Sequence, residues 1–202
     1  MFTYSQQIIS HFKDIELEIS SIQHTFQNTI KEKLNSFSPF ALFFSSPEEK
    51  SFIITSRPII NELDYYTAIS EMLFAYSALD STGVILAIDA SKETDSGTQD
   101  LLEVYAACDH FCTIFSMPYH IDESSQFVWH EDKFNSFSIE KLEKMYDTSG
   151  QLHVTLEIYE SLYLHTHLTV PVFEFPKLEL FYKHNNFNFI SLKESKTDNL
   201  SV

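Results

Sequence analysis

The chain has 202 residues, 29 acidic and 13 basic side chains, a formal net charge of −16 and 44% hydrophobic residues. That apolar share, with 19 phenylalanines, suffices for a packed core and excludes a disordered acidic tail. Fourteen carboxylates and one lysine, Lys92, lie between Asn61 and Asp132, a local charge of −13; this argues against direct nucleic-acid binding there, which needs cations to displace phosphate counterions.

The first element is a long helix over about 4–36. Ile8, Phe12, Ile15, Ile19, Ile22, Phe26, Ile30 and Leu34 recur every three or four residues, and Pro39 ends the pattern. Such a stripe lies across a sheet of its own chain or pairs with a second copy as a homo-oligomer. Phenylalanines at two seam positions favour the first arrangement. Phe40–Ser45 and Ser51–Thr55 then read as a hairpin about Pro47. Asn61 caps a second helix, with Asp64 as capping-box partner and Tyr65, Ile69, Met72, Leu73, Tyr76 and Leu79 on its buried face. Val84–Ile88 is a continuous apolar run, the mark of a central strand.

Residues 101–107 fit helix or strand, with a slight preference for strand. Phe111–Tyr119 fits a strand, paired with the preceding segment through a turn at Asp109-His110. Gln126–Trp129 is one more short strand. Helices are expected beyond it, at Ile139–Tyr146, Leu152–His165 and Pro176–Lys183, with a polar tail over 193–202.

The fold class is therefore α+β: a long N-terminal helix, an antiparallel sheet of about five strands with a second helix, and a helical C-terminal region. The expected division is a core over 1–132, a helical annex over 133–192 and the tail. The element order through about residue 130 resembles the Roadblock/longin and profilin-like architectures. That is a likeness of topology without a sequence motif, and it implies no function.

Candidate chemistry concentrates after the central strand. Asp89-Ala90-Ser91 resembles the opening of the Asp-x-Ser-x-Ser metal-adhesion motif of von Willebrand A domains, but Glu93 stands at the fifth position. Asp89, Ser91 and Asp95 are the metal candidates, set against an ordinary polar loop capping a strand. Cys108 and Cys112 flank His110, yet no second cysteine pair completes a zinc site. They read as reduced thiols of a cytoplasmic protein. His165 and His167 lie near Glu157 and Glu160 and read as helix-end residues. Three glycines, none adjacent, exclude a glycine-rich phosphate cradle. No cofactor is expected.

The opening Met-Phe-Thr-Tyr-Ser-Gln-Gln has neither a basic nor an apolar signal region. No apolar run nears the ~20 residues of a bilayer span, so no membrane contact is expected. What remains is a non-enzymatic protein that meets a protein partner, preferably a basic one. The partner surface is expected in Asp89, Glu93, Asp95, Asp100 and Glu103, with the rim Asp122, Glu123, Glu131 and Asp132. Two alternatives stand beside it: an acidic nucleic-acid mimic that sequesters a basic protein, and a divalent-metal hydrolase using Asp89 and Asp95.

Overall fold

A computed structural model describes residues 12, 14–33, 37–46, 49–59, 61–78, 81–95, 97–108, 111–139 and 174–192. Its elements are α1 (Ile15–Lys33), β1 (Phe40–Ser46), β2 (Glu49–Thr55), α2 (Glu62–Ala78), β3 (Gly83–Thr94), β4 (Gly97–Cys108), β5 (Phe111–Ile121), β6 (Phe127–Trp129), a 3₁₀ turn (Glu131–Lys133), β7 (Asn135–Ile139), α3 (Phe175–His184) and β8 (Asn188–Ser191). The strands form one eight-stranded sheet in the order β6-β5-β4-β3-β1-β2-β8, with β7 pairing β5 beside β6, and every pairing is antiparallel.

Both faces of the sheet are buried, which explains the unbroken apolar run at Val84–Ile88. Ile85 and Ala87 face α1, whose Ile15, Ile19, Ile22, Phe26 and Ile30 are buried in the same cluster. Val84, Leu86 and Ile88 face the opposite way, into a cluster with Ile69, Met72, Leu73 and Tyr76 of α2 and Leu178 and Tyr182 of α3. The described part of the N-terminal stripe is thus spent inside its own chain; of the large apolar side chains of α1, Leu17 is the exposed one. Residues 4–11 and 34–36 of the expected helix lie outside the described residues.

Arg57 fastens the β2–α2 connection. Its guanidinium donates through Nη1 and Nη2 to the two carboxylate oxygens of Asp64 and through Nε to Glu71 at 3.2 Å, and it lies 5.9 Å from the ring centre of Phe187. Asn61 caps α2 as expected, its Oδ1 accepting from the Asp64 N–H at 3.0 Å. The expected capping-box carboxylate of Asp64 is the one that grips Arg57. The buried hydroxyl of Tyr182 donates to the carbonyls of Glu71 (2.7 Å) and Met72 (3.2 Å), pinning α3 to α2.

Two sequence expectations are corrected. Among the described residues the sheet has eight strands rather than about five, and the region beyond residue 132 is not wholly helical. Asn135–Ile139 pairs Cys112–Ser116, and Asn188–Ser191 pairs Phe52–Thr55. Edge strands of four or five residues carry too little alternation to stand out from turns. The sequence helices Ile139–Tyr146 and Leu152–His165 lie outside the described residues, apart from Ile139, which ends β7. Pro176–Lys183 lies within α3, with the proline in the first turn.

Candidate functional site

The most distinctive geometry is at one end of the sheet. β1 begins at Phe40, opposite Ala87, so Ile88–Thr94 of β3 runs on with no described strand on that side. β4 outruns β5 similarly, because Asp100 pairs Tyr119 near the end of β5. The result is a projecting β3–β4 hairpin, closed at Thr94 and Gly97. Thr94 Oγ1 donates to the Gly97 carbonyl at 2.6 Å, and Gly97 has φ +115°, a conformation that side-chain-bearing residues rarely adopt. The stretch 89–95 is strand and turn, rather than the polar loop expected from the sequence.

Strand alternation distributes its side chains. Asp89, Ser91 and Glu93 continue the face of Ile85 and Ala87 beyond the end of the apolar layer, and Ala90 and Lys92 take the other face. Ser91, Glu93, Asp95 and Asp100 are exposed. β5 returns antiparallel to β4, so its turn with β6 lies at the same end. Asp122 shapes that turn: one carboxylate oxygen accepts from the N–H groups of Ser124 (2.9 Å) and Gln126 (2.8 Å) and from the Ser124 hydroxyl (2.7 Å). These bonds hold its carboxyl below the ordinary range. Glu123 is exposed beside it. Asp89, Glu93, Asp95, Asp100, Asp122 and Glu123 therefore share one end of the sheet, with Lys92 the basic residue on the hairpin.

Asp89 is the least ordinary member. Tyr119 reaches across β4 from β5, and its hydroxyl donates to Asp89 Oδ1 at 2.9 Å. From the opposite face Tyr65 of α2 donates to the Asp89 main-chain carbonyl at 3.2 Å. Burial pushes the Asp89 carboxyl up to about 6; the Tyr119 bond opposes this and the negative charge of Asp100 adds to it. Burial, with the neighbouring Asp89, raises the Tyr119 hydroxyl well above its ordinary value. Such a carboxyl can take up or release a proton near neutral pH.

Two clefts flank this strand segment, each of about 340 Å³. One lies under the end of α1 and is lined by Ile30, Asp89, Ser91, Asp100, Tyr119 and Ile121. The other lies at the start of α2 and is lined by Ile59, Asn61, Tyr65 and Tyr66, with Asp89, Ala90 and Ser91 common to both.

The remaining sequence candidates go elsewhere. Glu103 is buried on the α2 face, accepts from the Tyr105 hydroxyl at 2.6 Å, and is pushed up by burial. It is not at hand for a partner. Glu131 and Asp132 are exposed in the 3₁₀ turn, past β6 and away from the hairpin tip. As metal candidates, Asp89 and Asp95 are separated by six residues of extended chain, ~20 Å, too far to share an ion. Among the described residues no three His, Cys, Asp or Glu side chains gather in a metal-holding group. Cys108 and Cys112 are buried on opposite faces of the sheet, and burial raises the Cys112 thiol beyond reach of easy ionisation. His165, His167, Glu157 and Glu160 lie outside the described residues.

The sequence reading missed Tyr65 and Tyr119, whose roles depend on sheet register. It also missed His120 and His130, diagonal across β5 and β6, whose rings meet with Nδ1 of His120 3.0 Å from Nε2 of His130. No family model, curated protein or solved structure matches this chain.

Proposed function

We propose that the protein is a non-enzymatic docking protein whose projecting β3–β4 hairpin receives a basic protein partner. The observation that carries this reading is the hairpin itself. Its strands outrun β1 and β5, and Glu93, Asp95 and Asp100 stand exposed on it with Lys92 as its basic residue. Carboxylates held on a regular hairpin present a fixed negative field, which steers a basic partner and sets its register. Asp122 and Glu123 extend that field at the same sheet end.

The seam of α1 serves its own core, so the partner surface is assigned to the hairpin rather than to that helix. The resemblance in element order to Roadblock/longin and profilin-like architectures belongs to this proposal for the fold alone; function is argued from the site. The test is capture of a lysine-rich probe protein by the immobilised chain. Capture should fall with added salt and be lost in a Glu93→Gln/Asp95→Asn/Asp100→Asn variant. Binding indifferent to salt, or unchanged in that variant, overturns the reading.

A further inference from the structure

Among the described residues no strand pairs Ile88–Thr94 on the side of β3 away from β4, and that edge has a definite hydrogen-bonding pattern. In an antiparallel pair, residues alternate between turning N–H and C=O toward the partner strand and turning them away. A two-residue closure makes Thr94 and Gly97 a hydrogen-bonded pair, so Lys92 and Ala90 also face β4. Asp89, Ser91 and Glu93 turn their main-chain groups outward. Tyr65 confirms this parity, since its hydroxyl reaches the Asp89 carbonyl from the outside. Beyond that bond, Ser91 and Glu93 offer two outward N–H groups and two outward C=O groups at an exposed edge.

The two clefts straddle the same three residues, Asp89, Ala90 and Ser91. A strand laid along this edge drops alternate side chains into one cleft and then the other. Their chemistries differ. The α1-side cleft has two carboxylates, Asp89 and Asp100, with Ile30 and Ile121 to take an aliphatic stem. The α2-side cleft is lined by Ile59, Tyr65, Tyr66 and Ala90, and Lys92 lies on that face beyond it.

We infer that β3 binds its partner by strand addition, pairing Ser91 and Glu93 with an extended segment in which basic residues alternate with apolar ones. The basic side chains enter the Asp89–Asp100 cleft, and the apolar ones meet Tyr65 and Tyr66. Main-chain pairing supplies affinity and the two clefts supply the pattern. Two copies of this edge are a poor match for each other, because Asp89 and Glu93 would meet like charges across the pair. This inference rests on the docking role proposed above and adds the mode and the partner's sequence pattern.

The experiment uses three synthetic peptides: alternating Lys-Val, the same residues in two blocks, and the alternating peptide N-methylated on two consecutive central backbone nitrogens, one of which must face β3. The alternating peptide should bind, and should slow amide exchange at Ser91 and Glu93 while leaving Lys92, already paired with β4, unchanged. N-methylation should weaken binding about 10-fold through the lost main-chain bonds, and the block peptide should fail to protect Ser91 and Glu93. Equal binding by all three, still abolished by Glu93→Gln/Asp95→Asn/Asp100→Asn, overturns strand addition and leaves the acidic docking role standing. No binding by any peptide overturns both. Protection of Ser91 and Glu93 without peptide, rising with protein concentration, gives the edge to a second copy and also overturns the inference.

Discussion

Asp89→Asn tests the electrostatics of the hairpin base. Burial raises the Asp89 carboxyl from 3.8 to about 6, so the folded state holds this proton more tightly than the unfolded chain. Between those two values stability falls as pH rises, because the unfolded chain binds fewer protons than the folded one. The whole shift corresponds to about 3 kcal/mol. Asp89 is half-buried and opens onto a cleft, and solvent screening reduces that to about 1.5 kcal/mol. Asparagine keeps an oxygen for the Tyr119 hydroxyl and carries no charge. The variant should therefore be more stable than the parent near neutral pH by about 1.5 kcal/mol, a Tm rise of about 3–6 °C. The advantage should vanish as pH falls below the unfolded-chain value. Urea unfolding at several pH values measures both quantities. A variant less stable than the parent near neutral pH, or a difference independent of pH, refutes the reasoning.

Tyr105→Phe removes the donor to buried Glu103 and should cost about 1–3 kcal/mol in chemical denaturation. Arg57→Lys loses the paired grip on Asp64 and the contact with Phe187, so it should lower stability by about 1–2 kcal/mol despite keeping the charge. Ile15→Asp with Ile22→Asp places two carboxylates in the core beneath α1; circular dichroism should show loss of the folded state, not a folded monomer released from a dimer. Glu93→Gln/Asp95→Asn changes exposed residues and should leave stability within about 0.5 kcal/mol.

Local periodicity revealed the elements whose partners are near in sequence or whose stripe is long. The α1 seam, the β1–β2 hairpin and the buried run of β3 were legible because each repeats one burial pattern over several residues. The β4–β5 pairing was legible too. The turn expected between Cys108 and Phe111 implies a register with Asp100 opposite Tyr119, the register the strands have, so half of the Asp89 site was implicit there. The other half was hidden at Asp95. Polar residues from Ser91 to Gly97 look like a loop, because a hairpin projecting beyond its sheet is solvated on both faces and loses the apolar alternation that marks a strand. With that turn missed, the register joining Asp89 to Tyr119 was out of reach. Glu103 misled for the converse reason. A carboxylate reads as surface unless its neighbour Tyr105 is known to lie on the same buried face.

The direct test of the docking role is a chemical-shift titration of the alternating Lys-Val peptide into the labelled protein at low and at physiological salt. The account predicts shifts confined to Asp89–Asp100, the residues lining the two clefts beside it (Ile30, Tyr119 and Ile121 on one side, Ile59, Tyr65 and Tyr66 on the other) and the adjoining turn at Asp122–Gln126, weaker at the higher salt and absent in Glu93→Gln/Asp95→Asn/Asp100→Asn. Shifts spread over the whole acidic surface, or retained in that variant, would contradict it.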